Sequence, residues 1–217
     1  MNEIWNVLKS DKWKERIPRI LEANTAFQAA VLVPLLIRDG RLEVLFEVRS
    51  PHLRRQPNEI CFPGGKVEAD DRFPVQTALR EIEEELYVPR ESIDILGALD
   101  IVKTPIGAMV YPYVGKLKEE RLPSFSTQEV AEVFTVPFSW FLEHEPYEAP
   151  MQAGTQAKEG FPYEKIPYYS KGWKVRYSYS VWIYEYENRV IWGLTAGIVK
   201  NFVEIYRDIF YNNDKEY

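Results

Sequence analysis

One stretch constrains this chain more than any other. It runs from Phe62 to Val88 and reads FPGGKVEADDRFPVQTALREIEEELYV. A glycine pair opens it, a loop follows, and a short acidic helix ends it. The spacing predicts the helix: Ala78, Ile82 and Leu86 recur every four residues and form one apolar stripe, flanked by Thr77 and Leu79. Pro74 suits the first helical turn, where its missing N–H costs nothing. Pro89 stops the element.

The opposite side is acidic. Glu81, Glu84 and Glu85 fall at i, i+3 and i+4 and share one side, whereas Glu83 points elsewhere, towards water. The like-charged pair Glu81 and Glu85 costs about 0.2–0.5 kcal/mol in an isolated helix. Arg80 offsets Glu84 at the same spacing but does not neutralise the cluster. Two readings stay open here. Glutamate is a good helix former, so the helix can be a solvated surface element. Alternatively the carboxylates gather a hard divalent cation such as Mg²⁺ or Mn²⁺. Gly64 and Gly65 allow a close backbone approach, which would bring the Gly65 carbonyl beside the carboxylates.

The stretch resembles the Nudix box. Gly65 matches its leading glycine, Arg80, Glu81, Ile82, Glu84 and Glu85 match its core, and Val88 matches its last apolar position. Three departures stand out. Asp71 occupies the place of the first glutamate, the gap from Asp71 to Arg80 is eight residues rather than seven, and Tyr87 replaces the glycine near the helix end. The first two recur in the branch that resembles coenzyme A diphosphatases. That branch has an upstream signature similar to VLFEVRSPHLRRQPNEICFPGG, Val44 to Gly65, in which Arg49, Ser50, Leu53, Arg54 and Phe62 to Gly65 match. Pro57 or Asn58 stands near its usual glycine. Further on, Ile191 to Ala196 resemble the branch's IWGLTA segment.

The resemblance implies an α/β (α+β) Nudix fold, a mixed β-sheet sandwiched between helices. At 217 residues the chain is expected to be one such domain. A net charge of −6 argues against broad charge-driven binding of nucleic acid. Nothing resembles a signal peptide or an apolar span of about 18 residues, so no membrane partner and a cytoplasmic location are expected. The oligomeric expectation is a monomer or homodimer. The one cysteine, Cys61, excludes an internal disulfide and reads as a packing residue.

The remaining elements follow in order. Residues 1–23 read as an N-terminal helical addition interrupted by Pro18. Phe27 to Ile37 is a buried strand with Pro34 at a bulge or edge. Asp39-Gly40 signals a hairpin, and Leu42 to Val48 returns. Arg49, His52, Arg54 and Arg55 then form a local positive patch, readable as a solvated connector or as an anion clamp. Ile93 to Val102 and Ala108 to Leu117 read as strands. Glu129 opens a segment ending at Pro137, and Phe138 to Leu142 is a short helix or turn. Residues 143–172 read as an irregular insert or lid, rich in proline and tyrosine. Trp173 to Tyr186 is a strand, and a closing helix follows with Leu194, Ile198, Phe202 or Val203, and Ile205 on its packed side.

For function the resemblance implies metal-dependent hydrolysis of a diphosphate linkage in a small molecule. The expected substrate is coenzyme A, cleaved to 4′-phosphopantetheine and adenosine 3′,5′-bisphosphate. Glu81, Glu84 and Glu85, with the Gly65 carbonyl, are the expected ligands of Mg²⁺ or Mn²⁺. Arg80 positions a glutamate, and Asp71 anchors the loop through Arg80. Glu129 is a further ligand or a water-activating carboxylate. Arg49, Arg54, Arg55 and Lys66 are the candidate phosphate contacts. Two alternatives remain: a Nudix hydrolase of ADP-ribose, dinucleotides or nucleoside triphosphates, and a nucleotide-binding module without turnover.

Overall fold

Apolar alternation in two adjacent strands builds the centre of the sheet. The computed structural model describes residues 27–105 and 107–211; the expected helical addition at 1–23 lies outside them. Strands β1 (Gln28–Arg38) and β2 (Arg41–Arg49) form a hairpin. Asp39 and Gly40 close it with φ of 48° and 73°, the mirror-image turn that matches strand twist.

The hairpin does not stay closed. β1 pairs with β2 only from Leu35 onwards; from Ala29 to Val31 its partner on that edge is β4 (Gly64–Lys66). β2 in turn pairs with β3 (Ile60–Cys61) at Glu47 and Val48. The two long strands therefore part, and the segment carrying the glycine pair fills the gap between them. Pro34 sits where β1 leaves β2. It lies inside the sheet, because β7 (Met109–Leu117) runs parallel to β1 through Pro34 on the other edge. That replaces the expected bulge or edge position: at the point of divergence no hydrogen bond to β2 is lost.

β5 (Ile93–Ala98) and β6 (Val102–Lys103) pair antiparallel with β7, so the single strand expected from Ile93 to Val102 is split in two. β8 (Val130–Pro137) lines the far edge of β2. The result is an eight-stranded mixed sheet.

Each face of the sheet has its own core. Helix α1 (Pro74–Leu86) sets Ala78, Ile82 and Leu86 against Ala30, Leu32, Leu36 and Leu45. Full burial of a side chain such as Ile82 stabilises by about 1.5–3 kcal/mol. On the other face, α2 (Phe138–Glu143) and α3 (Gly193–Tyr211) pack on Val33, Val44 and Phe46. Phe46 stacks on Phe62 and Phe134 at 4.9 and 5.5 Å between ring centres. On α3 the packed side is Thr195, Ala196, Ile198, Val199, Phe202 and Val203, whereas Leu194, expected there, is exposed.

A second sheet of three strands comprises β9 (Tyr147–Thr155), β10 (Lys174–Tyr186) and β11 (Arg189–Trp192). β9 lies inside the stretch 143–172, which was expected to be irregular. Its partner β10, remote in sequence, supplies the pairing that a local reading of the proline-rich segment misses. Among the described residues no helix is long and apolar enough to cross a membrane.

Candidate active site

The carboxylates of α1 meet the glycine pair because β4 is wedged beside β1. The Gly64 N–H donates to Glu85 Oε2 at 3.0 Å. A Cβ on Gly65 would lie 2.1 Å from Glu81 Oε1, so a larger residue there would drive that carboxylate from its place. A Cβ on Gly64 would strike the Ala30 carbonyl oxygen at 2.4 Å. Both glycines thus permit the close approach expected of them, Gly64 to the backbone of β1 and Gly65 to the Glu81 carboxylate.

Arg80 organises the rest. Its guanidinium reaches Glu81 at 2.8 Å, Asp71 at 3.2 Å and Glu84 at 3.4 Å, and donates to the Lys66 carbonyl oxygen at 3.2 Å. Asp71 also accepts from Thr77 Oγ1 at 2.8 Å and from the Glu68 N–H at 3.0 Å. Burial works against the Asp71 carboxylate, but these donors and Arg80 hold it below the usual range. Arg80 thus ties Asp71 and the Lys66 carbonyl to Glu81 and Glu84 at the start of the loop. Glu83 turns away from the cluster and pairs with Arg90 at 2.8 Å. The helix starts with Gln76 Oε1 accepting from the Arg72 and Phe73 N–H groups at 2.7 and 3.2 Å.

Two departures from the family pattern find their geometry here. Tyr87 ends α1 with φ 52° and ψ 29°, the left-handed conformation that glycine ordinarily takes at this place. Asn58 adopts φ 62° in the β2–β3 loop, where the family has glycine nearby; asparagine tolerates that region better than most residues.

Glu85 belongs to the trio of carboxylates expected on one side of the helix. It is 3% exposed. A solvated surface helix therefore does not describe α1. Burial raises the Glu85 carboxyl to about 9, with the nearby Glu47 adding to the effect. Burial also raises Glu81, although Arg80 opposes it.

Glu47 is the site residue that sequence reasoning missed. It is 1% exposed on β2, opposite Cys61 in register. The Cys61 thiol donates to Glu47 Oε1 at 3.2 Å, while Oε2 is buried without a partner. Burial raises the Glu47 carboxyl to about 7; Cys61 and Arg49 oppose the shift, and Glu129 and Glu81 add to it. Burial and Glu47 together push the Cys61 thiol well above its usual value. A signal did exist: two-residue alternation puts Leu45, Glu47 and Arg49 on one face, and Leu45 packs towards α1.

The other expected residues divide. Arg49 is half-buried on the face of Glu47, with its Nε unpartnered. Arg54, Arg55 and Lys66 are exposed, and the first two stand in the loop after β2. Glu129 is exposed, and its carbonyl oxygen accepts from the Ser50 N–H at 2.8 Å. The Ser126 N–H donates to the Glu85 carbonyl oxygen at 2.8 Å and ties the same loop to α1. Glu129 thereby raises the carboxyl groups of Glu47, Glu81 and Glu85.

Among the described residues no three His, Cys, Asp or Glu side chains already form a cation cage. Arg80 draws Glu81 and Glu84 instead. The donor set nonetheless suits a hard divalent ion: it is all oxygen, it is in excess over nearby cations, and it includes a buried oxygen with no partner.

The NUDIX domain family model matches residues 26–158. The Nudix hydrolase NudL of Citrobacter koseri is 34% identical over 173 residues, 80% of this chain and 79% of that protein. NudL of Escherichia coli (strain K12) is 33% identical over the same shares. The Caenorhabditis elegans Ap4A hydrolase in a binary complex superposes with a TM-score of 0.45 and 22% identity, over 51% of this chain and 80% of that one. The NUDIX domain of Shewanella oneidensis NrtR with ADP ribose gives 0.44 and 20%, over 62% and 86%. By its matched domain and these relatives the chain belongs to the Nudix family and is a Nudix hydrolase.

Proposed function

We propose that this Nudix hydrolase cleaves the diphosphate of coenzyme A, or of its thioesters, to 4′-phosphopantetheine and adenosine 3′,5′-bisphosphate. The observation that carries the reading is the meeting of three features. The Gly64–Gly65 backbone seats Glu81 and Glu85, Arg49 presents an unpartnered nitrogen on the same face of the sheet, and the Arg49-to-Gly65 segment has the pattern of the coenzyme A branch.

Glu81, Glu84, Glu85 and the Gly65 carbonyl would hold the Mg²⁺ or Mn²⁺. Such an ion, when bound, neutralises phosphoryl charge and acidifies water. The residues of the chain do the rest. Arg80 and Asp71 fix the loop against α1 and set the direction of Glu81. Arg49 meets a diphosphate oxygen, for which the guanidinium fork is well shaped. Arg54, Arg55 and Lys66, all exposed, are the available contacts for the 3′-phosphate. Glu129, on a loop tied to α1, takes the proton of the attacking water in this reading. Water adds to one phosphorus, the bridging P–O bond breaks, and both products leave as phosphomonoesters.

A substrate panel tests this, with products identified by mass. Coenzyme A is expected to exceed its 3′-dephospho form in kcat/KM, with activity lost in chelator and restored by Mg²⁺ or Mn²⁺. Equal values for the two forms would remove the 3′-phosphate contact. Turnover of ADP-ribose or a dinucleotide without coenzyme A would replace the substrate. Nucleotide binding without turnover of any panel member would leave a binding module.

A further inference from the structure

The proposed ion ligands come from α1 and the glycine turn. Glu47 comes from neither. It sits on β2, on the sheet face that α1 covers, and is almost fully buried. Its two oxygens are treated differently. Oε1 accepts from the Cys61 thiol across the β2–β3 pair, and Oε2 is buried with no protein partner. Among the described residues no ion pair joins it to Arg49, the nearest cation on that strand face. A buried carboxylate without a counter-charge is costly, and removing it would ordinarily help the fold. Its neighbours deepen the problem: Glu81 and Glu129 act on it through space, and it acts in turn on Glu85, with only Arg49 opposing from the same strand. A divalent cation resolves the cost by meeting the buried oxygen that no side chain partners.

The geometry points to Glu47 as a fourth carboxylate ligand of the divalent ion, contributed by the sheet, with Cys61 as the residue that positions it. This rests on the cation-dependent reading above and adds a donor to it. The thiol occupies Oε1 and so leaves Oε2 as the oxygen offered to the ion. The sheet ligand is rigid, whereas Glu84 on α1 is more than half exposed. On this basis Glu47 sets affinity, and the helix carboxylates set approach to the diphosphate.

The test is binding of Mn²⁺ alone to the full chain, followed by the paramagnetic resonance signal of the free ion. Glu47→Gln keeps the acceptor for the thiol and removes the charge. It is expected to weaken Mn²⁺ binding by at least about tenfold, the scale on which support around a metal acts. It is also expected to raise the melting temperature in chelator and to shrink the further rise on adding Mn²⁺. A purely structural Glu47 would give a lower melting temperature and unchanged Mn²⁺ affinity, and that result overturns the proposal. Cys61→Ala is expected to fall between wild type and Glu47→Gln; wild-type affinity there removes the positioning role. Glu85→Gln separates the two levels. If it too binds Mn²⁺ like wild type, the cation reading itself fails. If only Glu47→Gln does, the fault lies with Glu47. Should Glu47→Gln not fold, Glu47→Asp, which withdraws the oxygen by one methylene, is read in the same way.

Discussion

Opposed demands fall on Glu85. Its carboxylate is buried against a backbone N–H, yet it is surrounded by other acids. Stability favours its neutral form, and the proposed chemistry needs the charge. Glu85→Gln is therefore expected to lower turnover by at least about a hundredfold, the range for a positioned electrostatic group. The same variant should melt higher than wild type in chelator. Steady-state kinetics and a melting curve on one preparation check both; near-normal turnover would remove the role. Tyr87 shows a different cost. Its left-handed backbone is strained for a side chain that is 58% exposed and so gains little by packing. Tyr87→Gly should stabilise the protein by about 1 kcal/mol, measurable by denaturant titration, with turnover unchanged.

At the scale of elements, the decisive feature is the wedge of β3 and β4 between diverging β1 and β2. It delivers the glycine pair to the carboxylate side of α1 and sets Cys61 opposite Glu47. Gly65→Ala leaves the strand pairing possible but drives the Glu81 carboxylate aside. Turnover should fall by about a hundredfold, as expected for a displacement near 1 Å. Thermal unfolding should stay cooperative; a full-rate alanine variant would mean that Glu81 has room the geometry denies it. α1 itself was legible from residues alone. Its stripe, its proline start and its stop at Pro89 all lie within one local window. β9 was not legible, because its partner is a strand that begins about twenty residues later in the chain.

Taken whole, the molecule gathers buried carboxyl groups between a sheet and a helix. Glu47 and Glu85 have folded-state carboxyls raised to about 7 and about 9, above their unfolded values. Protonated in the fold, they contribute stability that is complete at acid pH, below the unfolded carboxyl range. That contribution is lost as pH rises through about 7 and then about 9. In chelator the melting temperature should fall across that window, after allowance for other titrating groups. With Mg²⁺ or Mn²⁺ present the fall should flatten, since an ion that binds the ionised cluster stabilises the fold by mass action. Scanning calorimetry from pH 5 to pH 9 tests this, and parallel curves with and without the ion would contradict it.

The residues alone determined the family pattern, the acidic helix, the freedom for close approach at Gly64 and Gly65, and the Asp71–Arg80 link. Each of these depends on spacing within about one turn of helix or one loop, and spacing is written in the chain. Only the tertiary structure decided that Glu85 and Glu47 are buried, and that Arg49 is half-buried beside Glu47 while Arg54 and Arg55 are exposed. Those outcomes depend on which strand lies beside which. Pairing of segments far apart in sequence is settled by competition among all the apolar faces at once, and no short window of residues carries that information.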